Sequence, residues 1–85
     1  MKSILIALLR TRSRSAVNFQ KVLTKYGCFV KTRLGIHDGV LNQCSDVGLI
    51  ILELVGDSKK KKELARRLNK LPGVTAKLVE IRLKN

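Results

Sequence analysis

The reactive side chains of this sequence gather in one stretch. Residues 37–46 hold the only histidine, His37, together with Cys44, Asp38 and Asp46. Imidazole, thiolate and carboxylate are transition-metal ligands, which makes His37 and Cys44 the weak metal candidates of the chain. A catalytic zinc site needs three protein ligands in firm geometry. This set is small and mixed, so no metal and no other cofactor is assigned. A Cys–His nucleophile pair needs a third group that orients the base, and none is evident. Gly35 and Gly39 flank His37 and give the backbone freedom there. The run from Gly35 to Gly39 lacks the lysine and the spacing of a phosphate-binding loop. With no nucleophile or acid–base pair in a recognisable setting, the chain is read as no enzyme.

Basic residues offer a different chemistry. Arg10, Arg12 and Arg14 alternate through a connector, residues 11–15, just before a predicted helix. Guanidinium groups beside a helix N-terminus suit a phosphate or carboxylate. Lys59, Lys60, Lys61 and Lys62, followed by Arg66 and Arg67, form a second group at the start of another helix. Cations in a first helical turn oppose the helix dipole, and a broken local rule can mark function. That group is the candidate for docking a nucleic-acid backbone. No aromatic lies among those residues, so base stacking is not supported.

The elements that must position these residues follow from periodicity. Residues 4–10 are apolar on both faces, which marks a central strand. Their apolar run is shorter than a signal-peptide core and too short to cross a bilayer. Ser13 or Ser15 can cap a helix over residues 15–26, whose stripe is Ala16, Phe19, Val22, Leu23 and Tyr26. Gly27 suits the left-handed position just past its end. Residues 28–36 alternate Lys31 and Arg33 with Val30, Thr32 and Leu34, the pattern of an edge strand. Residues 47–56 are again apolar on both faces. Asp57 or Ser58 caps a second helix running to about Leu71, with the stripe Leu64, Ala65, Leu68 and Leu71. Pro72 and Gly73 stop it. Residues 74–83 form a last strand, with Lys77 marking a bulge.

The order is βαββαβ, an α+β ferredoxin-like unit. Right-handed crossovers put the first and third strands in the centre of a four-stranded antiparallel sheet, with two helices on one face. The other face still carries aliphatic side chains, and such patches mark interfaces. A homo-oligomer, dimer or tetramer, is therefore expected. The same topology brings the arginines of residues 10–14, the 37–46 loop and the Pro72-Gly73 turn to one edge.

Length and composition agree. Eighty-five residues, 45% apolar, make a single domain over residues 1–85 with a thin, aliphatic core. The net charge of +12 draws anionic partners, a small anionic ligand or nucleic acid. No membrane segment is read. Two cysteines are too few for a disulfide scaffold, which points to the cytoplasm.

Several runs carry a family likeness. Lys25-Tyr26-Gly27, then Val30-Lys31-Thr32-Arg33-Leu34-Gly35-Ile36, Val47-Gly48-Leu49-Ile50-Ile51 and Leu68-Asn69-Lys70-Leu71-Pro72-Gly73-Val74-Thr75-Ala76-Lys77 resemble the short ACT-like proteins assigned as regulators of the iron-only hydrogenase system. The chain is also similar to the ligand domain of nickel-responsive repressors, without their full histidine and cysteine set. Family members often carry proline where this chain has His37. Residues 11–15 lack the glycine that amino-acid-binding ACT domains use there. The resemblance implies an ACT-like fold, oligomerisation and a non-catalytic regulatory or small-ligand-sensing role, with transcriptional regulation as its setting. The expected ligand-proximal set is Arg12, Arg14, Gly35, Ile36, His37 and Gly39. Direct nucleic-acid binding through Lys59, Lys60, Lys61, Lys62, Arg66 and Arg67, and metal sensing, are the alternatives.

Overall fold

Strand alternation along the first nine ordered positions sets the architecture. In β1 (Lys2–Arg10), Ser3, Leu5, Ala7 and Leu9 are buried, whereas Ile6 and Leu8 are exposed. Successive side chains of a strand point to opposite faces, so only one face of β1 is covered. The computed structural model describes residues 1–10, 14–37 and 47–84, apart from the side chains of Arg14, Ile36 and His37. The predicted sites Arg12, Gly39 and Cys44 lie outside the described residues, as do Ser13, Asp38 and Asp46.

The remaining elements are α1 (Arg14–Lys25), β2 (Val30–His37), β3 (Val47–Leu54), α2 (Ser58–Asn69) and β4 (Val74–Ile81). The sheet order is β2-β3-β1-β4, antiparallel throughout, with β1 and β3 in the centre. This is the βαββαβ ferredoxin-like arrangement expected from the sequence, with the two all-apolar strands at its middle.

Both helices lie on the face that buries Leu5, Ala7 and Leu9. Phe19 and Leu23 of α1, and Leu64 and Leu68 of α2, meet Leu52 and Leu54 of β3 and Val74 and Ala76 of β4 in one cluster. Phe19 is the one aromatic ring fully enclosed there. Fully burying side chains of this size contributes about 1.5–3 kcal/mol each. The opposite face stays open. It presents Ile6 and Leu8 of β1, Leu34 of β2 and Ile81 of β4, all exposed, with half-buried Ile4, Leu49, Ile51 and Val79 among them.

Several local expectations are corrected. Gly27 is not the left-handed residue after α1; among the described residues the positive-φ glycines are Gly56 and Gly73. Instead α1 tightens into a 3-10 turn over Gly27–Phe29, closed by Tyr26 N–H to Leu23 O and Phe29 N–H to Tyr26 O. A tightened last turn satisfies the end carbonyls without a left-handed residue. The bulge is not at Lys77, which pairs regularly with Ile6. It lies in β2, between Val30 and Thr32, where an edge strand has no second neighbour to hold its register. Asp57 caps α2 as expected: its side chain accepts the Lys60 N–H at 2.9 Å. Ser15 lies within α1, and its hydroxyl donates to the Pro72 carbonyl at 2.6 Å.

Lys61 is the largest departure from the sequence reading. It is 8% exposed, and its Nζ donates to Ser3 Oγ, itself 1% exposed, at 2.9 Å. It sits three, four and seven residues before Leu64, Ala65 and Leu68, and so on the buried stripe of α2. Its aliphatic stem fills the space over β1, and its amine satisfies a hydroxyl cut off from water. Lys61→Met leaves the Ser3 acceptor unmatched and is expected to cost about 1–3 kcal/mol. Ser3→Ala should cost a similar amount, and the double variant less than the sum. A urea-denaturation cycle that returned strictly additive values would show that the pair is not coupled.

Candidate functional site

One end of the sheet is tied together by three segments. The Arg10 N–H donates to the Gly73 carbonyl at 3.1 Å, joining the end of β1 to the turn before β4. Ser15, in the first turn of α1, bonds the neighbouring Pro72 carbonyl. Gly73 has φ +75°, and a β-carbon there would stand 2.6 Å from Ser15 Oγ. Glycine at this position serves both the left-handed backbone and the close approach of α1.

A shallow cavity of about 270 Å³ opens at this end, lined by Leu8, Leu9, Arg10, Val47, Gly73, Val74 and Thr75. Leu8, exposed opposite Leu9, and Arg10, paired across to Val47, belong to the side of β1 that the helices leave open. Among the described residues that line the cavity, Arg10 is the charged one. The pocket thus combines one guanidinium, a threonine hydroxyl and an aliphatic floor, a set that suits a small anion with an apolar part.

The predicted ligand-proximal residues fall around this end. Arg14 begins α1, the element that Ser15 anchors to the Pro72-Gly73 turn. His37 pairs with Gly48, which pairs in turn with Leu9. One register step away, Ile36 pairs with Leu49, opposite Leu8. Gly35 lies across from Ile50, in line with Ala7 and Ala76. A β-carbon on Gly35 would meet nothing within 4 Å, so space is open above it. The backbone therefore brings Arg14, Ile36 and His37 to the end that also carries Arg10, while Gly35 lies further along β2. Arg10, Gly73 and Thr75 line the cavity but were not in the expected set. The signal for them was topological: the last residue of the first strand and the first of the fourth must meet beside the Pro-Gly turn.

A second cleft of about 260 Å³ lies between α1 and β2, lined by Gln20, Leu23, Thr24, Gly27, Val30 and Arg33. Its arginine is engaged, since Arg33 Nη1 donates to Gln20 Oε1. Among the described residues, no three histidine, cysteine or carboxylate side chains come together as a metal site. Cys28 is exposed and free.

The second basic group divides into separate roles. Lys61 is buried against Ser3 and is no surface contact, which corrects its place in the expected nucleic-acid set. Lys60 Nζ stands 3.6 Å from Glu63 Oε2, and Arg67 lies 5.8 Å from the centroid of the Tyr26 ring. Tyr26 Oη donates to Glu63 Oε1 at 2.7 Å. Burial raises the Tyr26 phenol above its ordinary value, and the bond to Glu63 raises it further against the pull of Arg67. That same bond, helped by Lys60 and Arg67, holds the Glu63 carboxyl below its ordinary range. Lys59, Lys62 and Arg66 remain exposed.

No family model and no curated protein matches this sequence. Solved structures do. The uncharacterized protein TM1266 of Thermotoga maritima superposes with a TM-score of 0.81 at 20% identity, over 95% of this chain and 96% of that one. The ACT domain of the GTP pyrophosphokinase of Chlorobium tepidum gives 0.69 at 18% identity, over 93% and 97%. A formyltetrahydrofolate deformylase of Pseudomonas putida gives 0.60 at 20% identity, over 95% of this chain but 29% of that one. At these identities the likeness establishes the fold, an ACT-like ferredoxin fold. No helix among the described residues is long and apolar enough to cross a membrane.

The Tyr26–Glu63 pair has a pH signature. A carboxyl lowered by folding contributes stability that is complete above the ordinary glutamate range and lost as pH falls through its lower folded value. Glu63→Gln should therefore flatten the acid limb of the stability profile below about pH 5. Denaturation midpoints measured across pH 3–7 check this, and an unchanged slope would remove Glu63 from the acid response.

Proposed function

We propose that this chain is a non-catalytic ACT-like regulatory module that senses a small anionic ligand and works as a homo-oligomer. One observation carries the reading: the cavity holding Arg10 opens beside an aliphatic sheet face that none of the described elements covers. Leu8 belongs to both, so a second copy seated on the open face would wall the cavity on its exposed side. Ligand and assembly are then coupled, because a ligand that prefers the assembled state shifts the population toward it. Arg10 and Arg12 supply charge in this reading, Arg14 joins them, and Ile36, His37 and Gly39 complete the ligand-proximal set. Gly35 belongs to the proposed set from further along β2.

The ACT domain of a GTP pyrophosphokinase is among the structures this fold resembles, which supports a regulatory rather than a catalytic role. The motifs shared with regulators of the iron-only hydrogenase system suggest transcriptional regulation of that system as the setting. A cytoplasmic location agrees with the exposed thiol of Cys28, which stays reduced there.

Two measurements test the reading. Sedimentation velocity should find a dimer or tetramer for the natural sequence and a monomer for Ile6→Lys, which sets a second cation directly across from Lys77 in the middle of the open face. An assembly indifferent to that change would remove the sheet-face interface. Inorganic phosphate and small carboxylates are the probes for the cavity. At ten times its Kd, a bound anion adds about 1.4 kcal/mol of stability, a rise in Tm of roughly 6–11 °C for a domain of this size. Arg10→Gln should abolish that rise. A rise that survived it would place the anion elsewhere.

A further inference from the structure

On the far side of the molecule from the open sheet face, α2 carries a row of cations that the fold does not use. Lys59, Lys62, Arg66 and Lys70 follow one another at spacings of three and four, so they share one face of the helix. All four are exposed. They lie opposite Lys61, Leu64 and Leu68, the buried stripe. None of the four side chains enters an ion pair or hydrogen bond among the described residues. The neighbouring cations are engaged: Lys60 with Glu63, Lys61 with Ser3, Arg67 over Tyr26. The two carboxylates nearest the row are occupied as well. Asp57 caps the helix, and Glu63 accepts the Tyr26 hydroxyl. The row thus keeps its full positive field, and its N-terminal end stands where cations oppose the helix dipole.

We infer that this face of α2 docks the phosphate backbone of a double-stranded nucleic acid without reading its sequence. The row runs for about 16 Å of helix, a length over which each strand of a duplex carries about five phosphates. Its side chains are lysine and arginine alone, the residues that hold phosphates and set position rather than specificity. Asn69 is the amide on this helix that could read a base edge. Its Nδ2 donates to the carbonyls of Ala65 and Ala76, and its Oδ1 accepts the Ala76 N–H. The fold has committed it to fixing α2 on β4. The one aromatic nearby, Tyr26, is buried under Arg67, so the stacking platform of single-strand binders is missing. An anionic membrane is the less suitable partner, because the row contains no exposed apolar side chain to enter a bilayer. This inference stands apart from ligand sensing and uses the opposite surface.

Fluorescence anisotropy with a labelled 20-base-pair duplex of arbitrary sequence tests it. Four neutralised phosphates give a slope of about −3.6 in log K against log salt, a loss of affinity of about 100- to 150-fold between 50 and 200 mM. The variant Lys59→Ser, Lys62→Ser, Arg66→Ser, Lys70→Ser should lose most of the binding and the slope. A companion variant, Lys21→Ser, Lys25→Ser, Arg82→Ser, Lys84→Ser, removes the same charge at exposed positions away from both α2 and the open sheet face and should keep most of the slope. Thermal denaturation of both confirms that they fold. Equal losses in the two variants would mean that net charge alone binds, and would overturn the assignment to α2. So would no binding at 50 mM salt, or binding to phosphatidylserine vesicles in place of the duplex. Phosphate cavity binding and duplex binding fail separately, since Arg10→Gln touches only the first.

Discussion

The structure depends on which face of β1 the helices cover. That strand is aliphatic on both sides, with Leu5, Ala7 and Leu9 on one and Ile4, Ile6 and Leu8 on the other. A slip by one residue would exchange the two faces, and hydrophobicity alone would barely resist it. Polar contacts at the two ends break the tie. Ser3 receives the buried amine of Lys61 at the start of the strand. At its end, the Arg10 N–H meets the carbonyl of Gly73. Size reinforces them: Ala7 sits opposite Ala76 in the covered layer, within the cluster that also buries the large ring of Phe19. Ile6 or Leu8 in that place would overfill it.

From that choice the other features follow. With two helices on one face, the other has no cover from the described residues, and it keeps its aliphatic side chains in the open. The edges differ in kind. β2 carries Lys31 and Arg33, along with a bulge that bends it, both devices that discourage pairing with a stray strand. β4 is bound to α2 by the double clamp of Asn69 on Ala76. The described part of the site end is tied together for a related reason. Gly73 lets α1 approach closely enough for Ser15 to reach the Pro72 carbonyl, so the beginning of α1 and the end of β1 are held to one turn.

The sequence made the strands and helices legible because their periods are strong. β1 and β3 read as central strands from unbroken apolar runs, and the α1 and α2 stripes survive almost residue for residue. What it obscured were contacts that depend on geometry. Gly27 looked like a helix terminator, yet the turn there is tight and right-handed, while Gly56 and Gly73 take the left-handed positions. Lys77 looked like an irregularity because it is polar, but the open sheet face accepts a lysine without disturbing the ladder. Lys61 was hidden among three other lysines. Only its phase relative to Leu64 and Leu68 separates it from them, and charge outweighs phase when a run is read by composition. At the site, the shared edge was visible from topology. Gly73 was placed there by its turn, but Thr75 was not, because it contributes a small hydroxyl rather than charge or a nucleophile.

The two surfaces left without internal partners lie back to back. An aliphatic face on one side and a cationic helix row on the other do not compete for the same partner, since burial of one leaves the other in solvent. Assembly through the sheet would therefore multiply the cationic rows without covering them. A single row of four cations binds a polyanion weakly at physiological salt, but rows held in one particle raise one another's effective concentration wherever a polyanion can reach both. The cavity sits where the open face begins, with Leu8 in its wall. In the reading proposed above, a ligand that fills it would act on the assembly first, and on the far surface only through the number of copies joined. The signal can then pass from one side of a thin, single-sheet domain to the other with no moving part inside the core.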